Sequence, residues 1–277
     1  LIILILTSSL FTFSQNIKPR FERIGTKEGL SIATVSCVYQ DSRGFIWAGT
    51  REGLNRYDGN KFKVFSYDPG DSTSLGNNWV NDITEDSKGN MWVATRGGGL
   101  NKFDRRRNQF VRFKHNDKNK NSISNDFVKE IMEDGSGNLW IATLDGLNYF
   151  ASKSNRFIHY ITDTKNTLSI SSNQITALCK DRRNNIWIGT SNGLNLFNPK
   201  NKTFTRFQLQ GNVSSVPTSG NGIASIFEDS SHQLWIGTES EGLKLFERGK
   251  NIFHNCNYKK EEYINNKLIH KRIFSIT

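Results

Sequence analysis

The stretch that decides the fold reads Asp41-Ser42-Arg43-Gly44-Phe45-Ile46-Trp47-Ala48-Gly49-Thr50. Four more copies follow, each with an acid, a turn, a tryptophan six positions after the acid and a threonine three positions after the tryptophan. The repeated tryptophans, spaced by about 47 residues, are Trp47, Trp92, Trp140, Trp187 and Trp235. Each copy continues into a Gly-Leu pair, followed by Asn in the first four copies and by Lys244 in the fifth. Self-similarity at a fixed period identifies a repeat architecture.

Each copy predicts four short antiparallel strands. An apolar segment precedes the acid, the acid begins a tight turn, and the second strand carries the tryptophan and then a small residue that lets a neighbouring sheet approach closely. The Gly-Leu pair begins the third strand, and paired aromatic residues mark the fourth. Four antiparallel strands in about 47 residues are typical of propeller blades. We therefore predict an all-β fold, a β-propeller of four-stranded antiparallel blades with five complete repeats plus partial ones. A stacked solenoid, which has shorter units, is the alternative.

Residues 1–14 are interpreted as the remnant of a signal peptide. This segment is apolar and uncharged, and it is too short for a membrane-spanning helix of about 20 residues. Thr12 and Ser14 are suitable small residues for cleavage before Gln15; a buried first strand is the alternative. Residues 15–277 are predicted to form the propeller domain, with repeat cores near 35–67, 80–113, 128–160, 175–207 and 223–254. Residues 21–24 match a fourth strand, and residues 267–277 match the start of a further unit.

Charge and cysteine content exclude several classes of function. The net charge is +11, but the basic residues are spread over loops and outer strands, so we predict no nucleic-acid partner through this region. The three cysteines are scattered over different repeats, which predicts neither a disulfide framework nor a metal site. Cys37 and Cys179 lie in apolar strands and are expected to be small buried hydrophobic residues. No cofactor is predicted.

The repeated carboxylates are expected to be architectural. A catalytic residue is normally unique, whereas this acid occurs in every copy, as Asp41, Asp86, Asp134, Asp181 and Asp229. No catalytic residue is therefore predicted within the chain.

Ligand binding is expected where the copies differ. In a propeller, the loops between blades and the loops between second and third strands open on one face. The candidate ligand-binding residues on that face are Arg51, Asn78, Trp79, Arg96, Asn125 and Asn173. An aromatic ring beside amides and arginines suits a sugar, and arginine binds a carboxylate or sulfate through two parallel hydrogen bonds. The alternative is that Trp79 packs at a blade junction and that both arginines are solvated.

The repeat, with its Asp-x-x-Gly turn, Trp, Thr and Gly-Leu-Asn, resembles the two-component regulator propeller repeat over nearly all of the mature chain. The resemblance implies the periplasmic sensor domain of a Bacteroidetes-type hybrid two-component histidine kinase, of which this chain is an N-terminal part. It also implies seven-bladed rings, an oligosaccharide ligand, a homodimer at full length, and an inner-membrane anchor and a kinase beyond Thr277. Two alternatives remain: a secreted propeller glycoside hydrolase or polysaccharide lyase, and a binding scaffold without a signalling role.

Overall fold

The computed structural model describes residues 22–209 and 222–256. Within these ranges a 3-10 turn at Thr26–Glu28 precedes twenty strands. The strands form five four-stranded antiparallel sheets, each built from four consecutive strands. We call the sheets blades 1 to 5 in chain order. The predicted all-β propeller architecture is confirmed.

The strand bounds agree with the predicted repeat cores to within a few residues. Blade 1 contains β1 (Val35–Gln40), β2 (Ile46–Thr50), β3 (Gly53–Tyr57) and β4 (Phe62–Phe65). Blade 2 contains β5 (Val80–Glu85), β6 (Met91–Thr95), β7 (Leu100–Asp104) and β8 (Gln109–Phe113). Blade 3 contains β9 (Val128–Glu133), β10 (Leu139–Thr143), β11 (Leu147–Ala151) and β12 (Arg156–Tyr160). Blade 4 contains β13 (Ile175–Lys180), β14 (Ile186–Thr190), β15 (Gly193–Asn198) and β16 (Thr203–Phe207). Blade 5 contains β17 (Ile223–Glu228), β18 (Leu234–Thr238), β19 (Leu243–Glu247) and β20 (Ile252–Asn255).

Three predicted segments fall partly or wholly outside this description. Residues 1–14 and 267–277 lie outside the described residues, and so does Phe21. Residues 22–24, which were expected to belong to a fourth strand, are not in a strand. In the part of the chain that the structure describes, no helix has the length and apolar character needed to cross a membrane.

The first strands of the blades contact one another in chain order, from β1 through β5, β9 and β13 to β17. The second strand of each blade also packs on the first strand of the next, as β2 does on β5. The small residue two positions after each tryptophan makes this packing possible. A Cβ atom at Gly189 would lie 2.7 Å from Cγ2 of Ile223 in the next blade. The predicted close approach of neighbouring sheets is thus confirmed.

The acid of each repeat organises the turn between the first two strands. In blade 1, one carboxylate oxygen of Asp41 accepts the backbone N–H groups of Arg43 and Phe45, both at 3.0 Å. The other oxygen accepts the indole N–H of Trp47 at 2.8 Å. Burial opposes ionisation of Asp41, but the hydrogen bonds from Trp47 and Arg105 hold the pKa of its carboxyl below the ordinary value. The architectural role predicted for this carboxylate therefore has a direct physical basis.

The same indole–carboxylate hydrogen bond occurs in blades 2, 4 and 5. Its length is 2.8 Å in blade 2, 2.9 Å in blade 4 and 2.8 Å in blade 5. The turn also requires one left-handed residue, which is glycine in the first three blades. In blades 4 and 5 this residue is Asn184 (φ 61°) and His232 (φ 62°). Blade 3 lacks the indole hydrogen bond, as described below.

Two carboxyl groups on neighbouring first strands are unlike the repeated acids. Asp82 of β5 accepts the backbone N–H groups of Ile83 at 2.8 Å and of Ile131, in the next blade, at 2.9 Å. Glu130 of β9 accepts the N–H of Leu178, again in the next blade, at 3.1 Å. Burial raises the pKa of Asp82 to about 7, and burial together with the charge of Asp82 raises the pKa of Glu130 to about 8. Both groups are therefore largely protonated at mildly acidic pH.

Replacement of Gly189 by Val is expected to destabilise the fold by about 1–3 kcal/mol, because a larger side chain must displace Ile223 and Ala177 at the junction of blades 4 and 5. Gly249→Ala is the matched control, because no atom lies within 4 Å of the added Cβ. Urea unfolding followed by tryptophan fluorescence measures both variants. Equal stability of Gly189→Val and the unchanged protein would contradict the close approach.

Stability is expected to decrease as the pH rises from 5 to 9, because Asp82 and Glu130 keep their protons in the folded protein at pH values where the unfolded chain has lost them. Their contribution is complete below the unfolded pKa values and is lost as the pH passes the folded values of about 7 and about 8. Cys37 and Cys179 lie outside this window, because burial raises the pKa of each thiol to about 12.

The double variant Asp82→Asn/Glu130→Gln keeps acceptors for the same backbone N–H groups and is expected to flatten the pH dependence. The measurement is the urea midpoint across the pH range. An unchanged slope in the double variant would show that other groups cause the effect.

Candidate ligand-binding face

Two positions per blade differ most between the copies, and they lie on one face. The first precedes the first strand and the second follows the second strand. The residues at the first position are Thr34, Trp79, Phe127, Gln174 and Gly222, and those at the second are Arg51, Arg96, Leu144, Ser191 and Glu239. In blades 2 to 5 the backbone N–H of the second position donates to the carbonyl of the first, at 2.9 to 3.3 Å. The fold thus holds the variable side chains of each blade next to each other.

Side chains from three blades form one continuous stack, which we call the Arg–Trp stack and define as Arg51, Trp79, Arg96 and Phe127. The guanidinium carbons of Arg51 and Arg96 lie 4.3 Å and 4.0 Å from the centroid of the Trp79 ring. Both guanidinium groups therefore contact the same indole. Arg96 also lies 5.0 Å from the Phe127 ring centroid. Cation–π contacts of this kind contribute roughly 0.5–2 kcal/mol each, depending on solvation.

Backbone hydrogen bonds between blades hold the stack in place. The N–H of Gly53 in blade 1 donates to the carbonyl of Asn78 in the loop that enters blade 2, at 2.8 Å. The equivalent bond from Gly99 to Asp126 measures 2.9 Å. Each interblade loop is therefore attached to the hairpin of the preceding blade, which brings Arg51 beside Trp79 and Arg96 beside Phe127.

Both arginines keep their hydrogen-bonding edges available. Arg51 and Arg96 are exposed, whereas Trp79 is half-buried. Within residues 22–209 and 222–256, neither guanidinium forms an ion pair; the arginines that do so there are Arg105, Arg107 and Arg248. A guanidinium that stacks through its flat face retains its in-plane N–H donors. The arrangement therefore offers two guanidinium groups next to one aromatic ring.

The structure separates the six predicted site residues into two groups. Arg51, Trp79 and Arg96 come together in the stack. The amide oxygens of Asn78 and Asn173 instead accept the backbone N–H groups of Tyr67 at 2.6 Å and Thr162 at 2.7 Å, in the loops that leave the fourth strands.

The third asparagine also supports its own loop. The Asn125 amide oxygen accepts the N–H of Phe127 at 2.8 Å, and the amide nitrogen of Asn173 donates to Asp145 at 3.0 Å. Asn78 and Asn125 support the loops that carry Trp79 and Phe127, and Asn173 supports the loop that enters blade 4. A direct role for these asparagines in ligand binding remains a prediction.

Phe127 is part of the stack and was missed in the sequence. The signal was available, since Phe127 occupies the same repeat position as Trp79, one residue before the first strand. Comparison of that single position across the copies would have selected it.

The chain was compared with known proteins. The family profile described as "Two component regulator propeller" matches residues 29–52, 74–97, 122–145, 169–192 and 218–240. A 62-residue segment is 42% identical to "Histidine kinase P4" of Formosa agariphila; the match covers 22% of this chain and 4% of that protein.

Solved structures give the same result for the fold. The extracellular domain of a hybrid two-component system from B. thetaiotaomicron aligns with a TM-score of 0.55 and 27% identity, covering 92% of this chain and 39% of that one. PorZ, a surface component of the type-IX secretion system of Porphyromonas gingivalis, aligns with a TM-score of 0.61 and 16% identity over 88% of this chain and 35% of that one. Virginiamycin B lyase of Staphylococcus aureus aligns with a TM-score of 0.59 and 13% identity over 84% of this chain and 73% of that one. The last two likenesses show the fold alone.

The five profile matches fall on the five blades, and each spans the first two strands of its blade and ends in the hairpin after the second. They therefore cover both the Asp–Trp turn and the two variable positions of the binding face. The chain contains five two-component regulator propeller repeats.

Proposed function

We propose that this chain is the ligand-sensing part of a hybrid two-component histidine kinase, that it is exported to the periplasm, and that it binds an acidic oligosaccharide without chemically changing it. The observation that carries the proposal is the Arg–Trp stack. The likeness of the chain to the extracellular domain of a hybrid two-component system supports the sensor role.

The chemistry of the stack favours an acidic sugar. Each guanidinium presents parallel N–H donors that match a carboxylate or sulfate. Leu144, the next variable residue on the face, is 43% exposed and extends the apolar surface beyond Phe127. A ligand that spans this face therefore meets cations, aromatic rings and apolar surface in turn, which suits an oligomer of rings that carry acidic groups.

Signalling requires the ligand to distinguish two arrangements of the receptor. A ligand shifts an equilibrium only by its differential affinity for the two states. The stack joins side chains of blades 1, 2 and 3, so a ligand bound there contacts three blades at once. We propose that the full-length protein is an inner-membrane-anchored homodimer and that the bound ligand changes the packing between propellers or between protomers.

Removal of either stacked arginine is expected to weaken binding of acidic oligosaccharides by about tenfold or more, since a hydrogen bond to a charged group contributes roughly 1.5–3 kcal/mol. The variants are Arg51→Ala and Arg96→Ala. The ligands are oligogalacturonides and sulfated galactan oligomers, with neutral cello-oligosaccharides for comparison. Isothermal titration at low and high salt measures the affinity, which is expected to decrease with salt.

Arg106→Ala is the matched control, because it removes the same charge from an exposed turn at the opposite end of the blade. Its affinity is expected to equal that of the unchanged protein. Equal losses of affinity in all three variants would show that the effect comes from net charge alone. That result would contradict a binding site at the stack. Mass spectrometry of the same mixtures tests the enzyme alternative, because cleaved sugar would show a hydrolase or lyase.

A further inference from the structure

The junctions between blades are closed on the opposite face by a recurring set of contacts. An N–H in the turn of one blade donates to a glutamate at the end of the next blade's first strand. These bonds run from Ser42 to Glu85 at 2.6 Å, from Ser87 to Glu133 at 3.0 Å and from Arg182 to Glu228 at 2.6 Å. They connect blades 1 and 2, blades 2 and 3, and blades 4 and 5.

At two of these junctions an arginine fills the remaining space. Arg105 of blade 2 binds Asp41 of blade 1 at 2.6 Å and Glu85 of its own blade at 2.7 Å. Arg248 of blade 5 similarly lies 3.5 Å from Asp181 and 2.8 Å from Glu228. These side chains are 11% and 22% exposed, so each guanidinium lies largely within its junction.

The junction between blades 3 and 4 has lost both elements. Lys180 occupies the position of the glutamate, and Pro199 occupies the position of the arginine. Lysine cannot accept a hydrogen bond, and proline has no side-chain donor. The carboxylate of Asp134 in blade 3 is consequently the only repeated acid at this junction, and it has no arginine partner among the described residues.

The tryptophan at this junction also differs from its four equivalents. The indole N–H of Trp140 is buried and has no hydrogen-bond partner among the described residues, and the side chain is 2% exposed. The hydroxyl of Tyr149 takes its place and donates to Asp134 at 3.1 Å. Burial and the charge of Asp134 raise the pKa of Tyr149 to about 12, so this hydroxyl stays protonated. An unpaired buried donor costs about 1–3 kcal/mol.

A cavity of about 740 Å³ opens where the contacts are missing, within the range of about 300–1,000 Å³ of ordinary ligand sites. Its aromatic walls come from both blades and include Trp140, Tyr149, Tyr160 and Phe197. Asp134 also lines the cavity, and the exposed Arg183 and Lys202 lie at its edge. Aromatic surface, a carboxylate and two cations thus meet in one place.

We propose that this cavity is a second binding site, separate from the Arg–Trp stack, for a small hydroxylated ring that carries one acidic group, such as a uronic acid monosaccharide. The ring packs on the half-buried rings of Tyr149 and Tyr160. A ring hydroxyl donates to Asp134, and the acidic group faces Arg183 and Lys202. This assignment does not depend on the proposed function, because it rests on residues of the other face.

The indole N–H of Trp140 gives a direct test by NMR. Trp140 packs on Tyr149 and Tyr160, with ring centroids 4.8 Å and 5.8 Å apart, so its indole reports on a ligand that contacts these rings. Galacturonic acid and glucuronic acid at millimolar concentration are expected to shift its ¹H–¹⁵N resonance, while the four indoles bonded to aspartate stay in place. The resonance is identified by its loss in Trp140→Phe. Glucose and galactose are expected to bind at least about tenfold more weakly, because they cannot pair with the two cations. Absence of a Trp140 shift with either uronic acid would overturn the proposal.

The closing contacts of the other junctions supply the blocking variant. Lys180→Glu/Pro199→Arg copies the residues found in blades 2 and 5 and is expected to abolish the Trp140 shift. Ser136→Trp, at a turn position where other copies carry Arg43, Lys88 and Arg183, fills the cavity independently if the first variant fails to fold. Arg51→Ala is expected to leave the shift unchanged. An undiminished shift in a folded blocking variant, or loss of the shift in Arg51→Ala, would overturn the assignment to this cavity.

Discussion

The hydrogen bond between the turn aspartate and the tryptophan indole is the interaction on which the blades depend. The carboxylate satisfies backbone donors of its own turn and the one polar atom of the indole, so the large apolar ring can be buried without an unpaired donor. Burial then places the ring against the next blade. Trp47 meets Phe103 at 5.3 Å between centroids, and Trp187 meets Phe246 at 5.6 Å. One local contact thus sets the turn, the position of the second strand and the packing of successive blades.

A second buried polar residue performs the same task on the binding face. The asparagine of the Gly-Leu-Asn sequence is fully buried in four blades. Its amide oxygen accepts a backbone N–H from the loop that enters the blade, at 2.9 Å for Asn55 and Asn101 and at 2.9 and 3.0 Å for Asn148 and Asn195. These hydrogen bonds therefore attach the loops that enter the blades to buried side chains of the third strands. Sequence variation at their tips changes the surface and leaves the backbone unchanged.

The sequence predicted the fold well because the fold depends on residues that recur. The tryptophan, the small residue two positions after it and the left-handed turn residue recur in all five blades, so local preference and tertiary packing agree. Within the site, Arg51, Trp79 and Arg96 could be selected because they differ between copies. Their mutual contact could not be predicted, since it depends on hydrogen bonds between blades. Asn78 and Asn173 were selected as variable residues, yet they make the same loop contact in two blades.

The cavity between blades 3 and 4 shows a different limit of sequence reasoning. Tyr149, Lys180 and Pro199 are each unremarkable substitutions, and they are distant from Asp134 and from one another in the sequence. Only their joint effect removes the acceptor of the Trp140 indole and leaves space beside it. In a repeat protein, a lost contact at one junction is informative because the other junctions show what the fold normally places there. A buried donor that lacks its usual acceptor costs free energy in the folded protein. The junction between blades 3 and 4 is therefore expected to be less stable than its equivalents, and it is also the junction that carries the cavity.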